Sequence, residues 1–526
     1  MRIFLPAAFI CLAAALPAQN PTPEWATTFD SPFDDDFFRE LEVDSAGNTY
    51  VMYTAEDFSI PVTWSFVSSY DTYGILRWTL QTEQHACMEV GRNGEVYLSG
   101  SVVLPGGESK FMLTKFDAAG NFMHRDTLSD PDPLWSATVG KMILTGDNEL
   151  VLAGYTASLD SVPVMKCDTA GNLLWVRHIS EPGTFDHYLG ALTCDGDNNV
   201  YVTIDAYDSV NATTQATKFM SNGSVSWERS IVSPGTLYLK FAGVYNDTTL
   251  FIAGEIYNQV AGARDMFVMT MDSSGNTLWD TSINAGDYFN VAINRMDIVN
   301  DALITAAGTI VLTGWYMDGV PSPRWVDLGI DLHGTTQWVW ENPSGTAHGY
   351  SVAEKPGDQV VTAGRVTTAQ GVATGITVFD SIGAIVWSAL YTTPQTVNVY
   401  EQQVGTDHLG NVYCAAWYND TSHSSVFLIK YSFLASVTDP TGPGLFVSVF
   451  PNPASNQLTI QAQMPGDELT FTMTDANGKL ILSSTIANPS GMVQMQLDVS
   501  FLAAGMYFIR VSGEGASQTK ELVIAR

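Results

Sequence analysis

Basic residues are scarce in this chain of 526 residues, because 23 Lys and Arg stand against 55 Asp and Glu, giving a formal net charge of −32. A surface this acidic repels phosphate backbones and anionic headgroups, so we expect no nucleic-acid partner. Charged residues make up 15% of the chain and apolar residues 45%, which argues against a disordered polypeptide.

Cysteine, long apolar runs and helical periodicity are also scarce. The stretch MRIFLPAAFICLAAALPAQN is too short to span a bilayer and predicts a signal peptide over residues 1–18, and we expect no transmembrane segment elsewhere. The four cysteines that follow it show no zinc or redox spacing, which favours free thiols, with one disulfide as the alternative. Abundant glycine and aromatic residues favour an all-β chain of short strands.

Signatures of catalysis are missing from the sequence. The eight histidines form no zinc-hydrolase pair, and no nucleophile elbow, Walker loop or dinucleotide fingerprint is present. We therefore predict no catalytic, cofactor-binding or metal-binding residues. Calcium remains the alternative at Asp34–Asp36 or in DGDNN (195–199), where acids cluster without the EF-hand spacing.

A glycine recurs about every fifty residues, with a tryptophan four positions later. Aspartate stands three positions before several of these glycines, so the motif reads Asp-x-x-Gly-x-x-x-Trp. The repeated residues are Asp71, Gly74 and Trp78; Gly120 with His124 in the Trp slot; Asp168, Gly171 and Trp175; Gly223 and Trp227; Asp272, Gly275 and Trp279; Gly334 and Trp338; and Asp380, Gly383 and Trp387.

A second element precedes each motif, as an apolar run such as NELVLAG (148–154) or GTIVLTG (308–314). There are eight such runs, and five of them end in glycine, which indicates that another backbone passes close by. Each repeat therefore has about four short strands, the size of a propeller blade.

Turn chemistry explains the motif. The Asp side chain caps its own backbone, Gly takes the positive φ of a hairpin turn, and the Trp on the returning strand covers the neighbouring sheet. His124 is then a substitution on an outer strand.

The two ends of the repeat region are complementary. The last repeat lacks its hairpin partner, while PEWATTFD (23–30) begins with an isolated Trp25. If that first segment supplies the last outer strand, residues 19–435 close into an eight-bladed β-propeller; seven blades is the alternative.

Three segments resemble the bacterial SBBP β-propeller repeat family, namely DSAGNTYV (44–51), HLGNVYC (408–414) and FMLTKFDAAGN (111–121). This resemblance implies a propeller over roughly residues 23–432, and it implies no single activity.

The last eighty residues carry a separate pattern. A Pro- and Gly-containing linker at 436–444 precedes alternating apolar runs, which predict a small immunoglobulin-like β-sandwich over residues 445–526. A second set of residues stands in a fixed order along this tail, namely Pro451, Asn452, Pro453, Asp475, Gly478, Lys479, Leu502, Gly505, Tyr507 and Lys520. In these residues the tail resembles the type A sorting domain of the Bacteroidetes type IX secretion system. The resemblance implies export through that machinery, removal of the tail, and anchoring or release at the cell surface.

Three functions stay open from the sequence. The first is a secreted, monomeric, non-catalytic binding or adhesion propeller for glycan or protein. The second is an extracellular polysaccharide hydrolase or lyase with its groups on the axial face. The third is an architectural role. The longest interval, at GDYFNVAINRMDIVND (286–301), is the first place to look for a ligand site.

Overall fold

A computed structural model describes residues 21–432 and 446–524 of the chain. The gaps within these ranges are 22, 30, 34, 58–61, 84, 129–135, 209–211, 260–261, 290–295, 318–321, 370, 394–395, 421–422, 451–453, 455, 464–467, 476–478, 488–492 and 514–515. The predicted signal peptide and the linker at 436–444 lie outside the described residues.

Two compact units are present, the first ending at Ser432 and the second beginning at Phe433. The strands of the first unit are β1 Trp25–Phe29, β2 Asp35–Val43, β3 Thr49–Asp57, β4 Val62–Tyr70, β5 Leu76–Thr82, β6 Cys87–Val90, β7 Val96–Val103, β8 Ser109–Phe116, β9 Phe122–Leu128, β10 Ala137–Leu144, β11 Glu149–Thr156, β12 Val162–Asp168, β13 Leu173–Ile179, β14 Asp186–Cys194, β15 Val200–Tyr207, β16 Ala212–Phe219, β17 Val225–Ile231, β18 Thr236–Tyr245, β19 Thr249–Asn258, β20 Ala263–Asp272, β21 Thr277–Ile283, β22 Met296–Ile304, β23 Ile310–Met317, β24 Pro323–Ile330, β25 Thr336–Glu341, β26 Ala347–Lys355, β27 Gln359–Thr368, β28 Gly371–Phe379, β29 Ile385–Tyr391, β30 Asn398–Thr406, β31 Val412–Asn419 and β32 Ser424–Tyr431.

The strands of the first unit pair into antiparallel groups of four. Group 1 is β2–β5, and each later group takes the next four strands, up to group 7 with β26–β29. Group 8 is β30, β31 and β32 with β1 as its outer strand. Groups 5 and 6 touch through one parallel pair, Arg264 with Met296. This is the all-β propeller architecture that the sequence predicts.

The first strand of every group contacts the first strands of the groups before and after it. The contacts run from β2 through β6, β10, β14, β18, β22, β26 and β30 and return to β2. These inner strands therefore surround an axis. We call the end of the groups where the inner strands begin the upper face, and the opposite end the lower face.

The N-terminal strand closes the ring, as predicted. β1 runs antiparallel to β32, with Trp25 opposite Lys430 and Phe29 opposite Val426. Lys430 Nζ also donates to the backbone oxygen of Thr72 at 2.7 Å, which ties group 8 to group 1. The two extremities of the propeller region thus share one sheet, and β1 gives group 8 the same four strands as the other groups.

The Asp-x-x-Gly segments are hairpin turns on the lower face. Asp71 Oδ1 accepts the backbone N–H groups of Tyr73 and Ile75 at 2.9 Å each. Gly74 follows with φ +78°, and the glycines of the other six motifs have φ between +79° and +82°. Glycine is required there because side chains disfavour this left-handed conformation.

Most repeat tryptophans reach across to the turn of the next group, whereas Trp387 of group 7 packs on the Tyr431 ring of group 8. Trp227 Nε1 donates to the backbone oxygen of Ser273 at 3.0 Å, and its ring lies where a Cβ on Gly275 would come within 2.8 Å. Trp25, Trp78, Trp175 and Trp279 make the same bond to Thr72, Ala118, Ser221 and Leu332. His124 Nε2 takes this place against the Thr169 oxygen at 3.3 Å.

Bulges in the inner strands explain the glycines that end the second strands. Seven inner strands shift register near their middle, as between Gly349 and Ser351. A Cβ on Gly314 would come within 1.9 Å of the Ile298 backbone oxygen, and a Cβ on Gly364 within 2.2 Å of that of His348. The predicted close backbone approach is therefore real.

The cysteines described in the structure are free thiols. Cys87, Cys167 and Cys414 are buried, and Cys194 is half-buried. The described residues contain one short 3₁₀ helix, Ala285–Phe289, and no described helix has the length and apolarity of a membrane crossing.

The second unit is a two-sheet sandwich. Its strands are β33 Phe446–Phe450, β34 Gln457–Gln463, β35 Glu468–Asp475, β36 Leu480–Ala487, β37 Val493–Asp498, β38 Gly505–Gly513 and β39 Ala516–Ile524. They pair in the orders β33-β34-β37 and β36-β35-β38-β39. Leu458 and Ile460 from one sheet share a core with Phe471, Ile509 and Leu522 from the other.

Substitution of two glycines distinguishes the cost of backbone strain from the cost of steric crowding by a tryptophan ring. Gly223 has φ +80°, and a Cβ placed on it would come within 2.6 Å of the Trp175 ring. Gly357 has a similar φ of +86°, but a Cβ placed there would meet no other atom within 4 Å. We expect Gly357→Ala to cost about 1–2 kcal/mol of unfolding free energy through strain alone. Gly223→Ala should cost about 1–3 kcal/mol more, because the ring must move. Urea denaturation measures both, and equal costs would contradict the contact.

The contact at the seam predicts that Trp25 and Trp227 contribute equally to stability. Trp25→Ala and Trp227→Ala should each lower the free energy of unfolding by about 2–4 kcal/mol, because both rings cover a glycine and bond a turn carbonyl. Phe122→Ala, at a 59% exposed outer-strand position, is the control. A Trp25→Ala protein as stable as the parent would show that β1 does not hold the ring closed.

Candidate binding site on the upper face

The residue after the strand glycine occupies an equivalent upper-face position in several groups. In groups 2 and 5 its side chain accepts a backbone N–H from the next inner strand. Ser101 Oγ accepts from Val139 at 3.1 Å, and Glu255 Oε1 accepts from Val299 at 3.0 Å. In these groups the position stabilises the contact between neighbouring groups.

Groups 6 and 7 hold Trp315 and Arg365 there, and in group 8 Trp417 stands at the matching place after Ala416. We define the aromatic band as these three side chains together with Phe37, His348, Tyr350 and Tyr400 from the inner strands. All seven residues are half-buried. None of the three second-strand side chains can accept a hydrogen bond as Ser101 or Glu255 does. In these groups the position therefore does not accept an N–H from the next inner strand.

Ring contacts connect the band across four groups. The rings of Trp315 and His348 are in an edge-to-face arrangement with their centroids 5.4 Å apart. The His348 ring stacks on that of Tyr350 with a centroid distance of 6.1 Å. Further round, Tyr400 stacks on Trp417 at 4.1 Å, and Trp417 meets Phe37 at 5.1 Å. The rings form a semi-continuous apolar surface beside the axis.

Arg365 lies between the two halves of the band. Its guanidinium carbon is 5.9 Å from the centre of the Tyr400 ring, a cation–π arrangement. Arg365 also faces His348 across the β26–β27 pair, and its charge lies close enough to the Tyr350 hydroxyl to act on the pKa of that group.

Several buried polar atoms of the band lack a partner. Within the described part of the chain, His348 Nδ1, Arg365 Nε and Trp417 Nε1 make no hydrogen bond, nor does Asn419 Oδ1 at the end of β31. Buried polar atoms are normally paired, so a cluster of unpaired ones beside half-buried rings indicates a place where a polar ligand binds.

Burial also tunes the titratable groups of the band. Loss of solvation, with the nearby Arg365 charge, lowers the pKa of His348 to about 4. Burial raises the pKa of Tyr350. Both side chains are therefore neutral near pH 7 and can donate and accept hydrogen bonds.

The axial channel contains three carboxyl groups from neighbouring inner strands. Burial, together with the negative charge of Glu42, raises the pKa of Glu40 to about 8. Burial raises the pKa of Glu42 to about 7, and burial with these two neighbours holds the pKa of Glu89 well above its usual range. Glu40 Oε2 accepts the Met88 backbone N–H at 2.7 Å, so it also joins groups 1 and 2.

A lysine spans part of the channel. Lys141 of group 3 reaches past group 4 and donates from Nζ to the backbone oxygen of Lys240 at 2.9 Å. Burial lowers the pKa of Lys141. Its hydrogen bond therefore joins groups 3 and 5.

The two acidic segments considered for calcium bond to the protein itself. Asp195 accepts hydrogen bonds from Asn199 and Tyr201 and pairs with Lys218 at 3.4 Å, which fixes the turn. Asp35 accepts the Ser424 backbone N–H, and Asp34 lies outside the described residues. The described residues contain no group of three or more potential metal ligands.

The sequence-derived site residues lie elsewhere. The repeat Asp, Gly and Trp residues lie at the lower face. In the sandwich, Leu502 is buried, Tyr507 donates to the Ala503 oxygen at 3.1 Å, and Lys520 lies on β39. Asp475 ends β35, Gly505 begins β38, Lys479 is exposed, and Pro451–Pro453 and Gly478 lie outside the described residues.

The long interval at 286–301 is partly described. Phe289 stacks on Tyr316 with centroids 5.6 Å apart, and Tyr288 bonds Thr336 at 2.9 Å. Its described part therefore packs onto group 6, and residues 290–295 lie outside the described residues. The aromatic band was not predicted from the sequence. One signal was present: the residue that follows the strand glycine is Ser101 or Glu255 in some repeats and Trp315 or Arg365 in others.

The channel carboxyls predict a pH dependence of stability. Glu40 keeps its proton in the folded protein up to a pKa of about 8, against 4.5 ordinarily, so the folded state binds more protons between these values. The free energy of unfolding should therefore fall as pH rises through that window. Glu40→Gln keeps an acceptor for Met88 and should recover about 1–2 kcal/mol at pH of about 8.

Urea denaturation of the Glu40→Gln protein at several pH values measures this gain. Glu228→Gln, on an exposed part of an outer strand, is the matched control and should leave the slope unchanged. A Glu40→Gln protein with the parental pH slope would show that Glu40 ionises normally in the folded state.

Comparison with known proteins shows a family for the tail. Residues 448–525 match the family described as the secretion system C-terminal sorting domain. No curated protein matches the chain. The polysaccharide lyase Uly1 shares 12% identity and a TM-score of 0.44, covering 76% of this chain and 90% of that one.

The β-propeller domain of the Trilobed protease from Pyrococcus furiosus shares 8% identity and a TM-score of 0.39, covering 65% of this chain and 94% of that one. Similarity at this level carries no functional argument. The sorting tail carries one: the protein is exported by type IX secretion and is secreted or attached to the cell surface.

Proposed function

We propose that this exported protein is a non-catalytic carbohydrate-binding propeller, and that the aromatic band is its binding surface. The observation that carries the proposal is the band itself, in which half-buried rings alternate with polar atoms that have no partner among the described residues. Sugars offer apolar C–H faces and hydroxyl groups together, and this surface complements both.

The position of the band supports a binding role. It lies at the upper ends of the inner and second strands of groups 6, 7, 8 and 1, so rigid sheets hold its side chains. The tryptophan contacts that join the groups lie on the lower face. Ligand contacts at the upper face therefore leave the joints undisturbed.

We extend the proposal to the architecture. The propeller has eight blades of the SBBP type, formed by residues 19–435 after removal of residues 1–18, and is followed by a linker at 436–444 and the sorting domain at 445–526. The cycle of eight inner strands and the shared last sheet support this count. The sorting domain contacts the type IX machinery, and the propeller acts as a monomer outside the cell.

Affinity electrophoresis of the exported chain in gels containing soluble polysaccharides tests the proposal. Tyr400→Ala should weaken binding about three- to tenfold, because it removes the ring that stacks on Trp417 and faces Arg365. Tyr73→Ala, at a 39% exposed ring in a lower-face turn, is the matched control and should bind as the parent does.

Two results would contradict the proposal. One is a chain that no polysaccharide retards; the other is a folded Tyr400→Ala protein with parental affinity. Release of oligosaccharides during the assay would instead favour the hydrolase or lyase alternative. Thermal denaturation of each variant separates lost binding from lost folding.

A further inference from the structure

Arg365 has no carboxylate partner among the described residues, although the chain is rich in acids. Acids outnumber bases by 55 to 23, and several buried or half-buried bases have carboxylate partners, such as Lys166 with Glu149 at 2.6 Å and Arg324 with Glu341 at 2.8 Å. Within the described residues, Arg365 makes no ion pair within 4 Å. A half-buried cation without a counter-charge is unfavourable until an anion reaches it.

The equivalent position in group 5 shows the contrast. Glu255 is fully buried there and pairs with Lys240 at 2.8 Å, while it also accepts the Val299 N–H. That charge has an opposite charge beside it, although the second carboxylate oxygen of Glu255 makes no hydrogen bond among the described residues. Arg365 has instead an aromatic ring beneath it, a tyrosine hydroxyl beside it and a buried Nε with no acceptor.

Resting on the proposed carbohydrate-binding function, we propose that the ligand is an acidic polysaccharide and that Arg365 binds the carboxylate of a uronic acid residue. The guanidinium is planar and donates two parallel hydrogen bonds to a carboxylate. Tyr350 and His348 lie beside it as neutral hydrogen-bonding groups for neighbouring hydroxyls. The aromatic rings on either side cover the faces of the adjoining sugars.

The other charged groups near the aromatic band are consistent with this assignment. Glu401, next to Tyr400, is exposed to solvent, where its charge is screened. Glu40, Glu42 and Glu89 lie on the inner strands of groups 1 and 2, and Lys141 crosses the channel between groups 3 and 5. Arg365 is therefore the cation that an anion meets within the band itself.

Matched polymers test the inference with the full exported chain. Polygalacturonate and alginate are compared with the same polymers after reduction of their carboxyl groups to alcohols. Dextran sulfate and dextran form a second arm that distinguishes sulfate from carboxylate. We expect at least one uronate polymer to bind at least about tenfold more tightly than its reduced form, the factor of one charge-assisted bond.

Variants assign this preference to Arg365. Arg365→Gln should lose the tenfold preference while keeping affinity for the reduced polymer, and Arg365→Lys should retain part of it. Arg229→Gln is the matched control, because Arg229 makes a cation–π contact of the same length, 5.9 Å, with Trp227 at the lower face. It should bind as the parent does.

The outcomes separate this inference from the function on which it rests. Equal binding of acidic and reduced polymers, or an unchanged preference in a folded Arg365→Gln protein, overturns the uronate assignment while leaving carbohydrate binding in place. Binding of dextran sulfate without either uronate polymer also overturns it. Absence of binding to every polymer overturns both proposals.

Discussion

The propeller depends on one repeated contact, a tryptophan of one group that lies on the turn glycine of the next. The indole N–H bonds a backbone oxygen of that turn, and the ring fills the space that a Cβ on the glycine would need. Because the same contact links Trp25 of the last group to the turn of the first, the seam is built like most of the other joints; His124 and Trp387 make different contacts at the joints between groups 2 and 3 and groups 7 and 8. The regular joint makes the ring closure possible without a covalent bond.

Concentrating the joints at the lower face leaves the upper face free to vary. In groups 2 and 5 the residue after the strand glycine still serves packing, by accepting an N–H from the next inner strand. In groups 6 to 8 the same position holds two tryptophans and an arginine, with buried polar atoms left unpaired in the part of the structure that is described. The sheets stay rigid while part of one face becomes available for a ligand.

Much of the fold could be predicted from local patterns. The turn glycines, the clasp of β1 with β32, and the close backbone approach at Gly314 and Gly364 all follow from the chemistry of single residues and their spacing. The band could not be predicted in this way. Its members come from six strands in four groups, and each one alone looks like an ordinary core or edge residue.

The sequence by itself determined the export tail, the fifty-residue period and the strand-and-turn content, because these depend on neighbours within a few residues. Tertiary structure decided which residues meet on the upper face. The inner-strand bulges and the curvature of the ring bring Trp315, Arg365 and Trp417 to one surface although about fifty residues of chain separate each from the next. Such long-range proximity is fixed by packing between sheets, and no local pattern encodes it.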